Sequence, residues 1–223
     1  MTTTPAASAP IRIQQNFLAR HERRLLNWIC PRLPAWTTPD QLTILGFVGA
    51  VIVAAGYMLS WIDDEWLGLC LAGYVVNWFG DSLDGSLARW RRIERPNYGY
   101  FVDHSVDAVA TLLMVGAIGM SPYLRLDVAL MAVIGYFLLS IHTFIAAKVV
   151  GEFRLSYMAG GPTELRLMLM AMTVTMALVG PGDIHGINFS PFDLFGLVIA
   201  SILVTLFVVQ SFATARMLRA RGG

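Results

Sequence analysis

The chain has 223 residues, of which 56% are hydrophobic and only 14% charged, and its net charge is +1. Soluble domains carry about 25% charged residues, and disordered chains are poor in aliphatics, so this composition excludes both and points to an integral membrane protein. Two cysteines, Cys30 and Cys70, are too few for a disulfide framework or a thiolate metal site.

In chain order, residues 1–10 (MTTTPAASAP) are small and polar and read as a disordered tail; no apolar core follows a basic start, so they do not read as a signal peptide. Residues 11–36 hold an amphipathic helix and a connection. On that helix Leu18, Leu25 and Ile29 fall on one side and Arg20, Arg23, Arg24 and Asn27 on the other. Such a basic amphipathic helix suits the interface of an anionic membrane. Residues 37–223 then read as one membrane domain. A span needs about 20 mostly apolar residues, and Leu42–Trp61, Leu124–Val150 and Phe192–Ala215 qualify directly. Thr163–Val179 is shorter but unbroken, while Trp66–Arg89 and Tyr98–Met120 are interrupted by acids. The expected fold is therefore all-α: six transmembrane helices in a single bundle, preceded by an interfacial helix.

Basic residues give the orientation. With six spans, all 16 Lys and Arg except Arg125 fall on one side, and Asp63, Asp64 and Glu65 occupy an opposite turn. Both termini are expected in the cytoplasm, as is an exposed Arg91–Arg92 turn. The basic residues follow membrane topology, so nucleic acid is not an expected partner.

Four aspartates interrupt the second and third spans. Asp81, Asp84, Gly85 and Ala88 share one helical face; Gly99, Asp103 and Asp107 share another on the next helix. Carboxylates inside spans are costly and mark functional sites. Four of them close together in a low dielectric need a cation among them. Oxygen-only ligands suit a hard divalent ion, Mg²⁺ or Mn²⁺, or two such ions. Gly85, Ala88 and Gly99 leave room for a ligand near the backbone, and Arg89 continues the line toward the cytosol, where it can hold a phosphate.

Asp81-x2-Asp84-Gly85-x2-Ala88-Arg89 followed by Gly99-x3-Asp103-x3-Asp107 resembles the signature of the CDP-alcohol phosphotransferases. These are six-span membrane enzymes of phospholipid synthesis, usually homodimeric and dependent on divalent metal. All eight signature residues are present; the nine residues between Arg89 and Gly99 make a longer connection than the family usually has. The resemblance implies that Asp81, Asp84 and Asp103 bind metal, and that Asp107 is the base while also touching metal. It implies too that Asp81, Asp84, Gly85, Ala88, Arg89 and Gly99 bind the cytidine nucleotide. The implied partners are a CDP-linked donor, an alcohol acceptor, membrane lipid and a second copy of the chain. The implied location is a bacterial or archaeal cell membrane with a cytoplasmic active site.

Further signals flank this cluster. Thr38-Pro39-Asp40-Gln41-Leu42-Thr43 reads as a proline turn with Asp40 as helix cap, leaving Thr43 open as a nucleotide contact. Lys148, Arg154, Glu164 and Arg166 stand at the level of the cluster and are candidates for the acceptor site. His104 is placed off the carboxylate face, and His142 is expected to make an interhelical hydrogen bond. The expected reaction is transfer of a substituted phosphate from the CDP-linked donor to the acceptor hydroxyl, with release of CMP. Two rivals remain. Asn77-x3-Asp81-x2-Asp84 and Asp103-x3-Asp107 also resemble the aspartate motifs of UbiA-type intramembrane prenyltransferases, and a cation transporter would likewise need buried acids.

Overall fold

The computed structural model describes residues 11–12, 17–150, 152–153, 162–182 and 189–222. The expected disordered tail, residues 1–10, and Arg154 lie outside them. Seven helices carry the described chain: α1 (Phe17–Ile29), α2 (Pro39–Leu59), α3 (Leu67–Arg91), α4 (Pro96–Gly119), α5 (Leu126–Val150), α6 (Pro162–Val179) and α7 (Pro191–Ala220). Ile11–Arg12 pairs in parallel with Glu152–Phe153. Each span expected from hydropathy has its helix, with ends displaced by a few residues. Four of these starts carry proline at the first position, where its fixed φ suits the helix and no hydrogen-bond donor is lost. Length and composition suffice for α2, α4, α5 and α7 to cross a membrane. Among the described residues α3, charged toward its C-terminal end, and α6, with Glu164 and Arg166 in its first turns, are not among these four.

The cap of α2 corrects one expectation. Thr38 is the N-cap, accepting from the Gln41 amide at 3.2 Å while the Gln41 side chain accepts from the Thr38 amide at 2.9 Å. This reciprocal pair satisfies two amides at once, and Asp40 instead pairs with Arg95 across the surface. Ser190 and Asp193 form the same kind of box at the start of α7, but buried.

α3 lies along α2 through a seam of glycines. A Cβ on Gly49 would stand 2.7 Å from the Asn77 Cα, one on Gly73 2.7 Å from the Val53 amide, and one on Gly56 2.8 Å from the Cys70 amide. A Cβ on Gly80 would overlap the backbone of Leu42 and Gly46. The two backbones therefore touch, as small residues allow in membrane helices. Below this seam Tyr57 and Tyr74, both fully buried, meet at their hydroxyls, and the Tyr57 hydroxyl is 2.5 Å from that of Thr173 on α6. α5 packs on α7, where the hydrogen bond expected of His142 is made to Thr214 at 3.2 Å.

α1 docks differently from its helical wheel. Leu26 is buried against Cys30, Leu42, Leu83 and Leu87, while Leu25 and Trp28 are exposed. The face that meets the bundle is Glu22-Leu26-Ile29, and the Leu25 side looks outward.

Replacing Gly49 or Gly80 with Ala should destabilise the protein by about 1–3 kcal/mol, the cost of overpacking, seen as a lower Tm in detergent. Gly68→Ala, where a Cβ meets nothing within 4 Å, should leave Tm unchanged or raised.

Candidate active site

α3 ends at Arg92, which turns left-handed at φ 56°, and the chain reverses into α4. Two antiparallel helices with a short connection thus bring both halves of the acidic motif together. One carboxylate oxygen from each of Asp81, Asp103 and Asp107 lies within 4.8 Å of the others. Asp84 is not part of this group. Buried to 9% exposure, it accepts from the Thr43 hydroxyl at 2.6 Å and from the Gly85 amide. The sequence places four equivalent acids on facing helices; the structure divides them into a trio and a fourth held by α2.

A cation is already present among them. The Arg166 guanidinium, from the first turns of α6, donates to Asp81 in an ion pair whose side chains are only 12% and 19% exposed. Three carboxylates face one guanidinium, so a single divalent ion would complete the charge balance. The donors are oxygens throughout, which fits a hard divalent cation. A buried amide oxygen, Asn77 Oδ1, also has no hydrogen-bond partner. Thr43, Gly46, Asn77, Asp81, Asp103 and Asp107 line one small cleft of about 10 Å³.

The remaining signature residues trace a path outward. Gly85 and Ala88 are half-buried and Arg89 is exposed. A Cβ on Gly85 would come within 3.3 Å of the Arg89 guanidinium, and one on Gly99 would meet open space. Lys148 is exposed at the end of α5 and Glu164 half-buried in the first turn of α6. His104 stacks on Tyr100 and meets Phe144 edge-on, and its Nδ1 sits 2.9 Å from the Tyr100 carbonyl. The expected free Arg91–Arg92 turn is corrected in part: Arg92 is exposed, but Arg91 donates to the carbonyls of Leu33, Pro34, Ala35 and Thr37, pinning the connection ahead of α2.

Glu22 is a neighbour of the site that the sequence does not announce. Its Oε1 accepts from Trp78 Nε1 at 2.8 Å and from the Ser82 hydroxyl at 3.0 Å, and its Oε2 accepts from Thr163 at 2.9 Å. Those donors sit beside Asp81 and three residues before Arg166, so α1 is tied to both helices of the ion pair. Its spacing to Leu26 and Ile29 is the signal that reveals it.

A helical membrane protein with a carboxylate cleft between two consecutive helices is the class that fold and site define. The family model for CDP-alcohol phosphatidyltransferase matches residues 36–215, and the chain belongs to that family. It is 32% identical over 103 residues to an archaetidylinositol phosphate synthase of Pyrococcus horikoshii, covering 46% of this chain and 52% of the relative. It is 30% identical over 121 residues to a CDP-diacylglycerol–glycerol-3-phosphate 3-phosphatidyltransferase of Cereibacter sphaeroides, covering 51% and 52%. The chain thus spans about half the length of each of these curated relatives.

Glu22→Ala should release α1 and leave three donors without an acceptor. About 1–3 kcal/mol of stability should be lost, read as a lower Tm and faster proteolysis near Arg23–Arg24 in the detergent-solubilised protein.

Proposed function

We propose that the protein transfers a substituted phosphate group from a CDP-linked donor to an alcohol acceptor and releases CMP, as a step of phospholipid synthesis at a membrane. The observation that carries this reading is the convergence of Asp81, Asp103 and Asp107 on one cleft in a chain with the complete family signature. Asp81, Asp103 and Asp107 would hold a divalent ion, Mg²⁺ or Mn²⁺, with room in the family scheme for a second ion using Asp84. When bound, such an ion neutralises diphosphate charge and favours departure of CMP.

The chain's own residues supply the rest. Gly85, Ala88 and Gly99 give the donor nucleotide close access to the backbone, and Arg89 offers two guanidinium donors to its phosphates. Asp107 accepts the proton of the acceptor hydroxyl. The acceptor oxygen then bonds to the β-phosphorus, the bond from that phosphorus to the bridging oxygen breaks, and CMP leaves with that oxygen. Positioning and fixed charge carry most of such a transfer. Lys148, Glu164 and Arg166 would frame the acceptor side, with Arg166 paired to Asp81 at the cleft, and the sequence adds Arg154 as a further candidate.

In this reading all six helices α2–α7 cross the membrane, α1 lies at its cytoplasmic surface, and two copies form a dimer. The bias of basic residues supports that orientation, and the apolar length of α2, α4, α5 and α7 supports the crossing. A UbiA-type prenyltransferase leaves Gly85, Ala88, Arg89 and Gly99 without a task, and a cation transporter releases no CMP.

The purified protein, given a panel of CDP-linked donors and alcohol acceptors, should release CMP. Chelation should abolish that release, and Mg²⁺ or Mn²⁺ should restore it; full turnover in excess chelator would refute the metal. Asp107→Asn should slow single-turnover CMP release at least ~10²-fold, the lower end for general base catalysis, with a smaller loss of donor binding. Normal turnover at saturating donor would remove Asp107 as the base. Single cysteines at Gly182 or Phe189 should react with impermeant reagents only from the non-cytoplasmic face; labelling from the cytoplasm would overturn the topology.

A further inference from the structure

Asn77 stands one helical turn before Asp81 on the same face of α3 and is 2% exposed. Its amide nitrogen donates to the Gly46 carbonyl at 2.9 Å. That bond fixes the amide's orientation, because turning it over would set two oxygens against each other. The other end, Oδ1, is the one buried side-chain polar atom with no hydrogen-bond partner among the described residues. Leaving an amide oxygen dry and unpaired in a membrane bundle is costly. Helix packing accounts for the nitrogen and gives no account of the oxygen.

The oxygen's surroundings supply one. Asn77 lines the same cleft as Asp81, Asp103 and Asp107, and Gly46 beside it adds no side chain to close the space. With Arg166 paired to Asp81, the trio of carboxylates already balances one divalent ion. A hard cation seeks six or more oxygens, and a further charged ligand would bring excess negative charge into a low dielectric. A neutral oxygen completes the shell without that penalty.

We propose that Asn77 is an uncharged oxygen contact for the divalent cation, offered from the membrane-buried end of the cleft. This rests on the reading of the cleft as a divalent site. Asn77 thereby has two tasks: its nitrogen joins α3 to α2, and its oxygen faces the ion.

Mn²⁺ is the probe, and the full chain in detergent is the sample. Binding is read as free Mn²⁺ by electron paramagnetic resonance, and stability as Tm with and without the ion. Asn77→Ala should weaken Mn²⁺ binding about 10-fold. Asn77→Asp keeps an oxygen in place but loses the amide donor, so its metal-free Tm should fall while Mn²⁺ binds at least as tightly as to wild type. A purely structural asparagine predicts the lower Tm without the difference in affinity between the two variants. Wild-type Mn²⁺ affinity in Asn77→Ala would overturn the proposal. So would weakened Mn²⁺ binding in folded Asn77→Asp, which stands as the deciding variant if Asn77→Ala fails to fold. Asp103→Asn separates the two readings: if it too binds Mn²⁺ like wild type, the cleft is not the divalent site, whereas its loss alongside an unaffected Asn77→Ala removes Asn77 only.

Discussion

Backbone contact between α2 and α3 positions the half of the site that these two helices carry: Thr43, Asn77, Asp81 and Asp84. At the Gly49–Asn77 and Gly80–Gly46 crossings no side chain separates the helices. That closeness lets Thr43 reach Asp84 and lets Asn77 reach the Gly46 carbonyl. Van der Waals contact and interhelical hydrogen bonds are the main cohesive forces available between helices in lipid, and this seam supplies both. The seam fixes the backbone that carries Asp81 and Asp84, and Arg166 and Thr43 then hold their carboxylates.

Charge is managed by division. Asp84 is held by a hydroxyl and a backbone amide, Asp81 by a guanidinium, and Asp103 and Asp107 converge with Asp81 on the cleft. A buried ion pair gains little net stability once desolvation is counted, so the Arg166–Asp81 pair is better understood as keeping an acidic cleft tolerable than as a fastener. Glu22 extends the arrangement outward, since its three hydrogen bonds bind α1 to the strip that carries Asp81 and to the helix that carries Arg166.

Much of this is legible in the sequence. The six apolar segments gave helices with close to their final bounds, because hydropathy over about 20 residues is a strong signal. The acids were legible because their spacings put them on facing helices. Other features left weaker traces. Gly46, Gly49, Gly73 and Gly80 look like ordinary small residues until two helices are paired. Asn77 stood out only as part of a rival motif, and its role depends on which of its two amide ends is paired. Glu22 was hidden on a helix whose arginines dominate the wheel, and Leu26, not Leu25, marks the buried side. The partner of Asp81 could not be read locally, since 85 residues separate it from Arg166.

That separation also bears on how the molecule is made. During synthesis α3 and α4 emerge with their aspartates long before α6 exists. The glycine seam is complete as soon as α2 and α3 meet, so the hairpin can pack early while its electrostatic circuit stays open. Until α6 arrives Asp81 lacks the guanidinium it pairs with, and an uncompensated carboxylate in apolar surroundings is costly. The circuit closes only with the first turns of α6, so the acidic frame is laid down before the cation that makes it tolerable.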